Sequence, residues 1–226
     1  MGNLGWSAGM QGDLPAARAY HERALVIARE VGNIYQETYT LINLSAVTGI
    51  QQDAEASLAY AQASADLSRK NGERSGEAWS LLYLGYGYLM LGDLEQAESA
   101  FQGSIQIRTE LGQPALLMEP VAGLIQVHLE KNDRTSALVE AERILSHITN
   151  GGTLEGTEEP LRIYFTCYSA LRQNLDPRAD DLLNQAYSQL VEQISRISDH
   201  EARRMYVENV PWRRAIQQSW QQYQRN

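Results

Sequence analysis

The chain has 226 residues and a formal net charge of −9, from 19 Lys and Arg against 28 Asp and Glu. An acidic balance of this size argues against nucleic acid or an anionic membrane surface as the main partner. A single cysteine, Cys167, excludes an internal disulfide framework and a Cys-rich zinc site. The sequence shows no long apolar run and no signal-peptide pattern, so we expect no membrane span and a cytoplasmic location.

Several residue types recur along the chain at a step of 40. An aspartate series follows this step: Asp13, Asp53, Asp93 and Asp133. A glycine series does the same: Gly32, Gly72 and Gly112. Aspartate is a favourable helix N-cap because its carboxylate accepts free N–H groups of the first turn, and glycine favours the left-handed turn that ends a helix. Each unit of the repeat therefore predicts two helices.

The repeat predicts the organisation of most of the chain. Helices are expected at residues 33–50, 53–71, 73–91, 93–111, 114–131 and 133–148. The repeat units lie near residues 1–32, 33–72, 73–112 and 113–148, and the first of them is truncated. Residues 149–157 have the composition of a loop. Residues 158–198 predict a fifth, degenerate helix pair, and residues 199–226 predict C-terminal capping helices.

The third unit has a pattern of small and large residues that occurs in a known family. Its members are Leu84, Gly85, Tyr86, Gly92, Asp93, Ala97, Phe101 and Ser104. This pattern resembles the tetratricopeptide repeat, and the resemblance covers roughly residues 1–148. The step of 40 exceeds the family's usual length of about 34, and is similar to the long-helix variety in bacterial signal-transduction ATPases and maltose-activator-type regulators. The resemblance implies an all-α fold, an α-α superhelix in which antiparallel helix pairs stack into a solenoid.

The first helices of such a stack line its concave side, so their inward positions form the predicted partner-binding surface. These residues are Tyr39, Asn43, Trp79, Leu82, Tyr83, Tyr86, Met90, Glu119 and Gln126. Chaperone-binding members of the family clamp a peptide's carboxylate with Lys and Asn, and this set has no Lys or Arg. Its aromatic and Met side chains favour a hydrophobic or amphipathic segment of a protein partner. The alternative is that Trp79, Tyr83 and Tyr86 pack between adjacent repeats.

The sequence carries no recognisable catalytic constellation. It has no phosphate-binding loop, dinucleotide fingerprint or nucleophile elbow, and its four histidines are scattered. His21 falls on the large position that Phe101 holds, and Cys167 falls on the small position of Gly85, so both are expected to pack in the interior. We therefore expect no enzyme, no cofactor and no metal site.

The leading hypothesis is a non-catalytic protein–protein interaction or scaffold module. We expect it to be the C-terminal segment of a larger bacterial regulatory or signalling protein. The stretch from Asp199 through Arg203-Arg204 to Val210-Pro211 is similar to the C-terminal tail of large multidomain bacterial proteins with such repeats. One alternative is a sensor domain of a transcriptional regulator that binds a small ligand or peptide. Another is a homo-oligomerisation module, in which the edge of the truncated first unit pairs with a second copy.

Overall fold

The structure, a computed structural model, describes residues 2–225, and within that range it contains helices, turns and loops but no strand. Its helices are α1 (Gly2–Met10), α2 (Leu14–Glu30), α3 (Ile34–Ile50), α4 (Ala54–Asn71), α5 (Arg74–Leu91), α6 (Leu94–Glu110), α7 (Met118–Glu130), α8 (Arg134–Thr149), α9 (Pro160–Gln173), α10 (Arg178–Ser195), α11 (His200–Glu208) and α12 (Pro211–Tyr223). The predicted all-α fold of consecutively packed helix pairs is confirmed.

The helices belong to two compact units, which are described separately. The first unit, Met1–Leu111, contains α1 to α6, and the second, Gly112–Asn226, contains α7 to α12. The finer boundaries expected for the repeats, the loop and the C-terminal cap stay predictions. Within residues 2–225, no helix combines the length and the apolar character that crossing a bilayer demands.

Helix ends in the first unit follow one local rule. The carboxylates of Asp13, Asp53 and Asp93 each accept a hydrogen bond from the backbone N–H three residues later, as the repeat predicts. Asn33 and Glu73 cap α3 and α5 in the same way. The residue before each cap has a positive φ: Gly12, Gly32, Gln52, Gly72 and Gly92. Helix starts therefore recur every 20 residues in this unit.

One predicted helix begins later than expected. The sequence predicts a helix over 114–131, whereas α7 begins at Met118 and residues 114–117 form a turn. A helix from residue 114 would place Pro120 in its second turn, where the proline ring clashes with the carbonyl four residues earlier. In α7, Pro120 instead lies in the first turn, where no intrahelical donor is needed.

Small residues let the two helices of a pair approach closely. A Cβ atom at Gly85 of α5 would lie 2.6 Å from the ring of Phe101 on α6, and one at Gly5 would lie 2.6 Å from the ring of His21. In the α3–α4 pair, serines occupy these positions. Ser45 Oγ donates to the Ser57 carbonyl at 2.8 Å, and Ser57 Oγ donates to the Ser45 carbonyl at 3.0 Å. The degenerate pair therefore replaces ring packing with reciprocal hydrogen bonds.

Glu159 holds the last helix of the second unit. It lies at the N-terminus of α9, and its carboxylate accepts hydrogen bonds from Arg213 Nη2 and Trp212 Nε1, both at 2.9 Å. The Arg213 side chain is fully buried, with its guanidinium 4.0 Å from the centroid of the Tyr206 ring. An ion pair that is also hydrogen-bonded and stacked fixes α12 against α9.

Glu119 of α7 positions the same end of α9. Its buried Oε1 accepts the backbone N–H groups of Glu158 at 2.8 Å and Glu159 at 3.2 Å. Burial, together with the nearby Glu158 charge, raises the pKa of the Glu119 carboxyl to about 8. The backbone just before α9 is thus held by a carboxylate of another helix, and no side chain caps the first turn of α9 itself.

Gly85→Ala should destabilise the protein by about 1 to 3 kcal/mol, because the added methyl group overlaps the buried Phe101 ring. Gly9→Ala is the matched control. Its Cβ atom would lie 3.7 Å from Ala17, so the helix gains about 0.5 to 1 kcal/mol of propensity without a clash. Urea unfolding measures both. Equal effects of the two substitutions would contradict the close-packing account.

Glu119→Gln should change how stability depends on pH. The pKa of the folded wild type lies above its unfolded value, so the cost of ionising Glu119 is absent below about pH 4.5 and complete above about pH 8. Wild-type stability should therefore fall, by an amount on the order of a few kcal/mol, across this window relative to the Gln variant. Urea midpoints at pH 5.5 and 8.5 measure the difference. Exposed Glu155→Gln is the control, and an identical profile in all three proteins would refute the assignment.

Candidate partner-binding surface

The nine predicted surface residues lie on first helices of the pairs, but they differ in accessibility. Those on α3 and α5 belong to the first unit, and Glu119 and Gln126 on α7 belong to the second. The buried members are Leu82, Tyr83, Tyr86 and Glu119. The partly exposed members are Tyr39, Asn43, Trp79, Met90 and Gln126. The binding role of the set stays a prediction, and only the second group offers much area to a partner.

Two tyrosines form a tilted ring pair at the start of α3. The ring centroids of Tyr35 and Tyr39 are 4.6 Å apart, and 64% of Tyr35 is exposed. Tyr39 Oη donates to Glu73 Oε2 at 3.3 Å, and Glu73 in turn caps α5. Burial raises the pKa of Tyr39 to about 12, so its hydroxyl keeps its proton at neutral pH. The Tyr39 hydroxyl therefore anchors the pair to the start of α5.

The Trp79 ring on α5 makes a cation–π contact with the buried side chain of Arg108. The Arg108 guanidinium lies 4.5 Å from the centroid of the Trp79 ring, and Arg108 Nη1 donates to Ser75 Oγ at 3.3 Å. Arg108 is only 1% exposed, so the cation–π contact is well shielded from water. Trp79 is half-buried, and its orientation is set before any partner arrives.

Tyr83 and Tyr86 take part in the packing of the first unit. The Tyr86 ring meets Phe101 edge-on, with centroids 5.0 Å apart, and both tyrosines are buried. Their centroids are 6.5 Å from each other, and Tyr83 stacks with Trp79 at the same distance. Interior packing is thus the main environment of these two rings.

The α7 members face the interior of the second unit. Gln126 Nε2 donates to Thr166 Oγ1 on α9 at 3.0 Å, and Glu119 accepts from the backbone at the start of α9. Both side chains therefore join α7 to α9.

The sequence analysis missed two exposed residues at the start of α3. Ile34 and Tyr35 are both exposed, and Tyr35 shares a helix face with Tyr39 at a spacing of four residues. That spacing was a usable signal. With these two, the accessible apolar part of the first-unit surface consists of Ile34, Tyr35, Tyr39 and Trp79, and we call it the aromatic surface.

Two residues that could carry chemistry, His21 and Cys167, are packed inside. His21 and Cys167 are buried as predicted; burial lowers the pKa of His21 and raises that of the Cys167 thiol to about 12. Within residues 2–225, no three His, Cys, Asp or Glu side chains come together as a metal site would require. A cavity of about 250 Å³ lies between α9, α10 and α12, where Tyr168, Asp180 and Ser219 line it. Ligand pockets are usually larger, about 300 to 1,000 Å³.

Comparison with known proteins gives one family and one fold. Two family models, both described as tetratricopeptide repeat, match residues 1–31 and 36–110. BtubC (BKLC) from P. vanneervenii, known from a crystal structure, is similar in fold with a TM-score of 0.62 and 16% identity, over 85% of this chain and 79% of that one. No curated protein sequence matches the chain. The chain therefore carries tetratricopeptide repeats over residues 1–31 and 36–110, and the 40-residue variety stays a prediction.

Proposed function

We propose that this protein binds a segment of a protein partner through the aromatic surface of α3 and α5, without catalysis of its own. Tetratricopeptide repeats generally mediate protein–protein interaction or scaffolding. The observation that supports this site is the anchoring of its rings, Tyr39 by Glu73 and Trp79 by Arg108.

Anchored rings are suited to binding for an energetic reason. A side chain that must be immobilised on binding costs about 0.5 to 1.5 kcal/mol of the interaction. Tyr39 and Trp79 already occupy fixed positions, so their contact area contributes with a smaller entropic cost. Tyr35 and Ile34 add exposed apolar area beside them. A hydrophobic or amphipathic segment of the partner is the chemistry that fits this surface.

The cellular role belongs to the same proposal. The resemblance in repeat length and in the tail favours a C-terminal scaffold segment of a larger bacterial regulatory or signalling protein. A cytoplasmic location is in keeping with a single cysteine, Cys167, which is buried and in no disulfide. Arginines of the C-terminal residues 199–226 contribute to packing within the second unit. Arg213 is buried against Glu159, and Arg204 pairs with Glu201 and Glu208.

The alternatives differ in their support. A small-ligand sensor has the small cavity of the second unit in its favour. A homo-oligomerisation module has a more specific observation, because Leu4 and Trp6 of α1 are exposed. Light scattering on the intact chain at two concentrations separates that alternative from a monomeric binding module.

A photoreactive amino acid at residue 35 should cross-link a small number of discrete proteins in a lysate of the source cells, because Tyr35 extends from the aromatic surface. The matched control carries the same group at residue 139, since Val139 has a similar exposure on the second helix α8. Gel electrophoresis and mass spectrometry identify the products. The same products from both positions, or none from residue 35, would count against this site.

A further inference from the structure

The cavity in the second unit is bounded by three helices. Tyr168 and Arg172 line it from α9, Asp180 and Leu183 from α10, and Ser219 from α12. Its volume is about 250 Å³. Because a cavity of about 150 Å³ holds benzene, by proportion this one holds a molecule of about ten non-hydrogen atoms. The volumes of about 300 to 1,000 Å³ that are usual for ligand pockets apply to drug-sized molecules.

Two opposite charges line this cavity without pairing. Arg172 lies in the last turn of α9, and Asp180 lies in the first turn of α10. Among the residues that the structure describes, neither of these side chains makes an ion pair or a hydrogen bond with another residue. Arg178, by contrast, pairs with both Glu142 and Asp176. The cavity therefore offers a ligand one cationic donor and one anionic acceptor.

Apolar side chains form another part of the lining. Leu183 is buried, and Tyr168 is half-buried, with its ring centroid 5.5 Å from that of Phe165. The Tyr223 ring also lines the cavity, and its centroid is 5.7 Å from that of Trp220. Both tyrosines are thus supported by a second aromatic ring. A ligand that uses both charges and also contacts these three lining residues needs an apolar part of its own.

We propose that this cavity binds a free α-amino acid whose apolar side chain has the size of that of leucine or methionine. The α-carboxylate binds Arg172, whose planar guanidinium matches two carboxylate oxygens, and the α-ammonium group binds Asp180. Ser219 and Gln222 lie three residues apart on one face of α12 and supply further polar contacts. The apolar side chain lies against the two tyrosine rings and Leu183.

The two charges distinguish a free amino acid from related ligands. The terminus of a peptide carries one of the two charged groups, so it would use either Arg172 or Asp180 and not both. An uncharged sugar would form neither ion pair. None of the residues that line the cavity belongs to the aromatic surface. This proposal and the proposed function can therefore fail independently.

Helix dipoles give these two charges a second possible role. A basic residue near the C-terminus of a helix and an acidic residue near its N-terminus are both stabilising. Asp181 lies in the same first turn of α10 as Asp180, but it is exposed and does not line the cavity. A substitution at Asp181 therefore reports the effect of charge on α10 without any effect on a ligand.

An NMR titration of the intact, isotope-labelled chain with L-leucine tests the proposal. We expect saturable shifts centred on α9, α10 and α12, with a Kd on the order of 1 mM or lower. L-methionine should bind with similar affinity. Leucine amide lacks the carboxylate and N-acetyl-leucine lacks the ammonium group, so each should bind at least about tenfold more weakly. This comparison needs only the wild-type chain.

Substitutions assign each charge to its part of the ligand. Asp180→Asn should weaken leucine binding at least about tenfold but leave the binding of N-acetyl-leucine unchanged, because that ligand has no ammonium group. Arg172→Gln should weaken leucine binding in the same way but leave the binding of leucine amide unchanged. Asp181→Asn is the matched control and should leave leucine binding unchanged. Circular dichroism checks that each variant is folded.

Three outcomes would overturn the proposal. In the first, leucine and methionine cause no saturable shifts in these helices. In the second, leucine amide and N-acetyl-leucine bind as tightly as leucine, so the site does not recognise the two charges. In the third, Asp180→Asn and Asp181→Asn have equal effects, so the charge acts on α10 and not on a ligand. If a variant fails to fold, the comparison of the leucine derivatives on the wild-type chain still decides.

Discussion

The regular spacing of helix ends is the constraint on which the first unit depends. A residue with positive φ followed by a capping side chain recurs every 20 residues, from Gly12-Asp13 to Gly92-Asp93. The full helices between these points have 17 or 18 residues, so each is about 26 Å long. Equal lengths keep successive pairs in register, and register brings Gly85 opposite Phe101 and Gly5 opposite His21. A helix longer by one residue would rotate its small position away from its partner by about 100°.

In the second unit, α8 and α11 keep aspartate caps, but α7 and α9 have no side-chain cap and depend on tertiary contacts instead. Residue 113 is Gln followed by Pro114 where the rule would place a cap, and α7 begins late without a side-chain cap. The backbone at the start of α9 donates to the Glu119 carboxylate of α7, and the Glu159 carboxylate at the same place accepts from Arg213 of α12. Two glutamates thus connect three helices through hydrogen bonds between residues distant in sequence.

The sequence predicted what local chemistry determines. The caps at Asp13, Asp53, Asp93 and Asp133 need only the residue itself and the next turn, so the repeat alone located them. The partner-binding surface was harder to predict, because a residue on a first helix can either line the groove or pack in the interior. Tyr83 and Tyr86 look like Tyr39 in the sequence, and only the neighbouring Phe101 decides that Tyr86 packs inside. The role of Glu119 depends on a backbone segment 39 residues away, and no spacing rule points to it.

Each helix of the first unit contacts few other helices, and this affects how the unit unfolds. A helix there packs on its neighbours and, for the first helices, on the next first helix, as α3 does on α5. In such a linear array, the free energy of unfolding is approximately a sum of terms for each helix pair and each interface between neighbours, so one end can unfold separately. Among the described residues, α1 packs on α2 and to a smaller extent on α3, whereas α3 packs on α2, α4 and α5, so α1 should fray while α3 to α6 stay folded. Slow amide exchange in the middle of the unit and fast exchange at α1 would then coexist in one native molecule.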